Sequence, residues 1–448
     1  MSHRIKVYFV IVCLVSISCL SCQSDLNEDS AQKALDRRLQ RSAMIRRNAV
    51  MAIESPEFSY TGAAGRGRAD SGEPMTADHQ FYIASLVKSM TAAVILQMWE
   101  EGLFGDKGLD MPLVELGLFP EEVVRELHLI DGRSYGDQIT IRHLLNQTSG
   151  VKDVFEDDEN GTADQYGIRT GGFAPDSLLG VVIFDKEKGV RKLLRCLKKG
   201  QPEGCDPDDY YLRQTWNHWD YDAWRTDPGD RMAGSMNFYL SGMNRAALWE
   251  PGTDYHYTDT NYIILGLLIE HISGNSLHHE MRKRIFDPLG MDHSYLTYST
   301  DPPSSQWEEE VSEFWFFLTP IVSTGINFSF DWGSGGGYST AADLSVYFHA
   351  LVTGELFEAP ATLDTLLSYP FQYNETFGYG CAVHVAKEGD SFVAQHSGLS
   401  GCWMIYHSES DLTFVGTVNA ISSSRFSRLI RRSYRVLNRL GFELTSPF

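Results

Sequence analysis

Ser85-Leu86-Val87-Lys88-Ser89-Met90-Thr91-Ala92-Ala93-Val94-Ile95-Leu96-Gln97-Met98-Trp99 is the stretch on which the reading of this chain turns. No charged residue falls between Lys88 and Glu100, so a helix here is wrapped in protein on nearly every side. Residues three apart share a helix face. Lys88 therefore stands one turn above the Ser85 hydroxyl, at the end where backbone N–H groups lack intrahelical partners. Serine is a poor nucleophile until a base takes its proton, and a lysine in apolar surroundings can serve as that base. The implied chemistry is acyl transfer.

A Ser-x-x-Lys tetrad proves little by itself. Ser30-Ala-Gln-Lys33 and Ser149-Gly-Val-Lys152 match it equally well. The plainer reading of Ser85 is a helix N-cap, with Lys88 a solvated side chain of the first turn. Context separates Ser85 from the others, because it follows the apolar Phe81-Tyr-Ile-Ala84 and opens a long buried helix. Partners elsewhere in the chain must decide the matter.

At 448 residues, 43% hydrophobic and 22% charged, the chain is ordinary for a globular core of two domains or one large one with insertions. Residues 1–22 read as a secretion leader, with Arg4 and Lys6 ahead of an apolar run, Val7 to Ile17, too short to span a bilayer comfortably. Cys19-Leu20-Ser21-Cys22 resembles a lipoprotein cleavage box, which makes Cys22 the expected lipidation site; plain cleavage is the alternative. The expectation is an exported protein of the periplasm or cell envelope, held to the membrane through Cys22 if that residue is modified. A net charge of −21 argues against nucleic acid or anionic lipid as the main partner, though it speaks mainly to solubility. In an oxidising compartment, Cys196 and Cys205 bracket a short polar loop that a disulfide could close, whereas Cys381 and Cys402 read as buried small hydrophobes.

Residues 23–30 read as a tether, and 31–440 as one folded unit with a tail at 441–448. Ala31 to Val50 has a helical pattern, followed by two short strands, Val50 to Ile53 and Phe58 to Gly62. Thr140 is a plausible N-cap for a short helix ending at Gly150. An irregular insertion at about 151–250 follows. It holds an acidic loop (Asp153 to Asp158), a basic helix around Lys186 to Lys199 and an aromatic segment including Trp219, Tyr221 and Trp224, read as either a small core or a lid over a substrate cleft. A second apolar helix spans Ile263 to Ile272. Ser334 to Leu344 reads as a flexible turn leading to the helix Ala341 to Val352. The last hundred residues alternate in runs (Gly378 to Val385, Phe392 to Gln395, Gly401 to His407, Leu412 to Val418) before a basic helix, Arg425 to Leu440. The predicted class is α+β, an antiparallel sheet built from both ends of the chain and flanked by helices, with an all-helical domain inserted between.

Ser85-x-x-Lys88, Tyr257-Thr-Asp259 and His396-Ser-Gly398, in that order, resemble the three motifs of the serine β-lactamase and penicillin-binding superfamily, and most closely its class C-like branch of DD-peptidases, esterases and amide hydrolases. His143 to Gly150, Pro251-Gly-Thr, Asn261 to Gly266, Pro288-Leu-Gly-Met291 and Gly336 to Asp343 resemble that branch too, so the likeness runs from about residue 31 to 440. It implies a β-lactamase/transpeptidase-like fold with Ser85 acylated. Lys88 and Tyr257 would move its proton, and the backbone N–H groups of Ser85 and Leu399 would hold the oxyanion, at about 3 kcal/mol per donor. Gly398 would let the strand approach closely, while His396 and Ser397 would orient the substrate. No metal or cofactor is implied.

Two departures matter. Asp259 stands where that family more often has Asn, and His396 replaces the lysine of β-lactamases proper. A neutral histidine pulls less on a carboxylate, which favours a peptidase- or esterase-like member. Tyr255 competes with Tyr257 for the motif's tyrosine; Tyr257 fits the spacing. A metal site finds no His-Glu-x-x-His, and Gly337-Tyr-Ser-Thr-Ala341 lacks the second glycine of a nucleophile elbow. The expected function is hydrolysis of an ester or amide in a small molecule or peptide. The rival is a non-catalytic binding or sensor protein that keeps the fold.

Overall fold

The computed structural model of the chain describes residues 27–44, 48–157, 218–229, 233–297, 311–316, 319–324, 328–374, 376–421 and 423–444. The leader, Cys22, the basic helix over 186–199 and the Cys196–Cys205 pairing lie outside these residues.

Helix α1 (Glu28–Ala43) is capped by Asn27, whose side chain accepts from Ser30 N, so helical structure begins three residues before the expected start. Strands β1 (Asn48–Glu54) and β2 (Ser59–Gly65) form a hairpin. Six more strands come from the far end of the chain: β3 (Phe371–Asn374), β4 (Phe377–Tyr379), β5 (His384–Glu388), β6 (Ser391–Ser397), β7 (Cys402–His407) and β8 (Leu412–Thr417). They join in one antiparallel sheet in the order β3-β4-β5-β6-β7-β8-β1-β2. The two ends of the chain meet where β8 pairs with β1, Val50 opposite Thr417. The run expected as one strand, Gly378 to Val385, is two, because the chain turns between β4 and β5 with Ala382 at φ 61°.

Strict alternation gives each sheet face its own core. Ala49, Met51 and Ile53 of β1 and Trp403 and Ile405 of β7 face α1 and the C-terminal helix α6 (Ser423–Leu437). Val50, Ala52, Cys402, Met404 and Val415 face the opposite way, into a larger core shared with α2 (Val87–Glu100), α4 (Asp259–Ser273) and α5 (Ala341–Thr353). Thr140 caps the short helix α3 (Ile141–Leu145), and Thr340 caps α5 by accepting from Asp343 N at 3.2 Å.

Two expectations change here. The segment before α5 is buried rather than flexible: Trp332–Gly335 is a short helix, Gly337–Ser339 a buried strand, and a Cβ on Gly337 would lie 2.7 Å from Val87 of α2. Its glycines serve close packing. The described part of the insertion also joins the main core, since Met236, Phe238 and Tyr239 are fully buried in the same cluster as α2 and α4. Trp219, Tyr221 and Trp224 pack together against that cluster, Trp219 edge-on to Phe119 at 5.3 Å. They form a packed aromatic group away from the site described next.

Candidate active site

Ser85 sits in a single 3₁₀ turn, Ala84–Leu86, that runs directly into α2. Ala84 is held at φ 45°, a left-handed conformation that a non-glycine residue keeps only when its surroundings enforce it. The enforcing contact comes from β6. A Cβ on Gly398 would meet Ala84 Cβ at 2.9 Å, Cys402 Sγ at 2.6 Å and Ile83 O at 3.0 Å, so only glycine lets the strand end lie against the serine turn.

Lys88 is fully buried, one turn along. Its Nζ donates to Ser85 Oγ at 3.2 Å, to the Ser334 carbonyl at 2.7 Å, and to Asp259 Oδ1 in a close ion pair. The carbonyl comes from the buried glycine-rich segment, which explains why that segment is packed so tightly onto α2. Asp259 opens α4 behind Thr258, where the helix dipole favours a carboxylate. The Tyr257 ring centroid lies 4.9 Å from Lys88 Nζ, and its phenol interacts with both Lys88 and Ser85. Tyr255 instead stacks on Phe371 at 4.7 Å, so geometry selects Tyr257 of the two.

The turn from Asn146 to Gly150 fixes the start of α4. Gln147 bonds Thr258 and Asn261, and Ser149 donates to Asn261 Oδ1 at 2.7 Å. Ser149 and the Lys152 carbonyl, which accepts from Thr258 Oγ1 at 3.1 Å and Thr260 Oγ1 at 2.8 Å, hold this backbone together.

Burial favours the neutral form of Lys88, but the contact with Asp259, reinforced by Tyr257 and Asp331, outweighs it and holds the amine above its ordinary range. The resting lysine is an ammonium ion. Burial raises the Tyr257 phenol, and Lys88 offsets only part of that rise. His396 is pushed well below its ordinary value by burial, then by His384 and Lys88. Its Nδ1 donates to the Ser397 carbonyl at 2.9 Å, which leaves Nε2, buried and without a partner, as an acceptor.

Ser85, Tyr257 and His396 line a cavity of about 260 Å³ together with Ser397, Gly398, Leu399, Tyr373 and His384, and Lys88 lies behind Ser85. Its opposite wall is acidic: Asp153, Glu156 and Asp157. Asp153 and Asp157 of this acidic loop are buried. Asp157 accepts from Asp153 N and His256 Nε2, each at 2.8 Å, and Asp153 accepts from Phe155 N at 2.8 Å. Burial, then Asp259 and Asp157, raise the Glu156 carboxyl to about 8. Asp331 is the other group that the sequence reading missed. Raised to about 6 by burial and then by Asp259, it accepts from the Tyr82 hydroxyl in a close contact and from Ser334 Oγ at 2.9 Å. Only its position five residues before the glycine-rich Gly336 to Asp343 segment hinted at proximity.

A family model described as beta-lactamase matches residues 35–205 and 215–436, which is most of the chain. The chain belongs to the beta-lactamase family. Among relatives of this family, PbpX of Bacillus subtilis (strain 168), a provisionally assigned penicillin-binding protein, is 24% identical over 319 residues, covering 70% of this chain. The match spans 56% of PbpX itself, so this chain covers little more than half of that relative's length. D-amino acid amidase from Ochrobactrum anthropi SV3 superposes with a TM-score of 0.60 at 20% identity, covering 93% of this chain and 99% of that one. EstCE1, a hydrolase with promiscuous acyltransferase activity, superposes with a TM-score of 0.60 at 17% identity, covering 90% and 99%. The beta-lactamase-family fold, an α+β architecture with an antiparallel sheet flanked by helices, is the one the sequence motifs implied.

Proposed function

We propose that the protein is an exported serine hydrolase that cleaves an ester or amide bond through an acyl-enzyme on Ser85. The observation that carries this reading is that Ser85 and Tyr257 line one cavity with Lys88 Nζ directly behind them, 3.2 Å from Ser85 Oγ and 4.9 Å from the Tyr257 ring centroid. A substrate that seals the cavity excludes water, and a dry site penalises the Lys88–Asp259 ion pair relative to its neutral form. Lys88 then passes a proton to Asp259 and accepts the Ser85 proton as Oγ attacks the carbonyl. Tyr257 relays a proton to the leaving group. The N–H groups of Ser85 and Leu399 receive the oxyanion, His396 Nε2 accepts from a donor on the substrate, and Ser397 borders the acyl side. Water attacking the ester carbonyl of the acyl-enzyme returns Ser85 and releases the acid.

Substrate class follows from the lining. Among the described residues no lysine or arginine borders the cavity, whose walls are three carboxyl groups, three imidazoles, three tyrosines and apolar side chains. A substrate carboxylate would be buried there unpaired, a penalty of about 3 kcal/mol or more. Uncharged acyl groups are favoured, which puts simple esters and amides ahead of lactams. The names of the amidase and of EstCE1 agree with such chemistry. The apolar leader and Cys22 support export with a lipid anchor, and the partner is a small molecule or peptide.

One observation favours the rival reading, a binding protein: Lys88 rests as an ammonium ion and cannot take a proton in that state. Side-by-side assays of a p-nitrophenyl ester, a chromogenic cephalosporin and a D-Ala-D-Ala peptide decide between the two. Hydrolysis of the ester, at least about a hundredfold faster than of the cephalosporin and abolished in Ser85→Ala, is the expected result. No turnover of any of the three would leave the binder.

A further inference from the structure

Among the described residues of the C-terminal helix α6, Phe426 alone borders the cavity, and the rest of the helix carries a one-sided charge. Phe426, Leu429, Ile430, Ser433, Tyr434 and Leu437 are buried against the sheet. Arg428, Arg431, Arg432 and Arg435 are exposed on the opposite face, and Arg439 follows in the next turn. Spacings of three and four residues put these arginines in one stripe. No aspartate or glutamate occurs from Ser423 to Leu440.

Helix α1 lies beside α6 and exposes a second stripe, Lys33, Arg37 and Arg41, with Arg38 half-buried between the helices. Burial, then the charges of Arg41, Arg432, Arg37 and Arg439, lower the Arg38 guanidinium, which places the two stripes within electrostatic reach of each other. Arg38 Nε is buried without a hydrogen-bond partner. Asp36, the nearest acid on α1, accepts from Tyr60 instead, at 2.8 Å. None of these nine cations forms an ion pair with another described residue, although the chain holds 59 acidic side chains against 38 basic ones. Like charges at these spacings oppose helix formation, so the face carries a cost that no ion pair among the described residues offsets.

We propose that the arginine face of α1 and α6 rests on an anionic phospholipid surface. Charge complementarity supports that occupant, and the chain's own geometry supports it independently. Cys22, the proposed lipid attachment point, precedes Asn27, the cap of α1, by five residues (27 − 22), which spans at most about 18 Å when extended. A chain anchored there holds α1 close to the headgroups. Basic residues at such a surface each strengthen binding about fivefold, and a single acyl chain anchors a protein only weakly without such a second contact.

The test uses the full chain carrying Cys22→Ser, which removes the lipid, in co-sedimentation with vesicles of phosphatidylglycerol and phosphatidylcholine or of phosphatidylcholine alone. Binding to the anionic vesicles should exceed binding to the neutral ones, which report any contribution of the apolar leader. It should fall as salt is raised and weaken at least about a hundredfold in R428Q/R431Q/R432Q/R435Q. A circular-dichroism melt checks that this variant is folded, and K33Q/R37Q/R41Q supplies an independent variant on the other helix. Equal binding to both vesicle types, or anionic binding unchanged in either folded variant, would overturn the proposal. So would duplex DNA bound more tightly than the vesicles, or a salt-sensitive dimer without vesicle binding, which would assign the face to nucleic acid or to a second copy.

Discussion

Replacing Asp259 by asparagine removes the carboxylate that holds Lys88 charged, while burial, which favours the neutral amine, remains. The Lys88 pKa should therefore fall. The ascending limb of the kcat/KM profile against pH should move at least about one unit toward acid in Asp259→Asn. An unmoved limb would mean that Lys88 does not act as the base. Glu156 gives a prediction on stability. Its carboxyl is raised to about 8 in the folded protein, against an ordinary value near 4.5 when unfolded. Between those pH values the folded state binds the extra proton, so stability falls as pH climbs through the window. Glu156→Gln cannot titrate, and its melting temperature should exceed that of the unmodified protein at pH 9 by more than at pH 5. A constant difference across this range would show that Glu156 titrates normally.

Gly398, at the end of β6, and the turn that carries Ser85 must touch for the site to exist. In Gly398→Ala the new Cβ presses on Ala84 and Cys402, displacing the strand from the serine, and kcat should drop about a hundredfold, with about 1 kcal/mol or more lost in urea unfolding. Gly150 tests the turn behind α4. At φ 76°, with a Cβ that would lie 2.2 Å from the Trp249 carbonyl oxygen, Gly150→Ala should cost about 2 kcal/mol or more in urea unfolding. Elements such as these were readable because local patterns mark them: the uncharged run after Lys88, the short runs of β7 and β8 set off by turn residues, and threonine caps at α3 and α5. What escaped reading depends on distant groups. Asp153 and Asp157 look solvated in a run of acids, and only the backbone donors and His256 that bury them show otherwise. The glycines before α5 look like flexibility, yet they exist to admit Val87 and the Lys88 contact. Asp259 stood out as a motif variant, but its ion pair joins residues 171 apart, which no local pattern encodes.

Across the whole molecule, the sheet closed by both chain ends and the helices packed beneath it bring positions 85, 257 and 396 to one cavity. The remaining cavity wall carries Asp153, Glu156 and Asp157, and the terminal helices packed on the other face of the sheet carry exposed arginines. The central claim is that Ser85 is the nucleophile, and intact-mass spectrometry after exposure to a fluorophosphonate ester tests it most directly. One adduct on the peptide containing Ser85, absent in Ser85→Ala and formed at least about a hundredfold more slowly in Lys88→Ala, is the result predicted. No adduct, or an adduct that persists in Ser85→Ala, would contradict it.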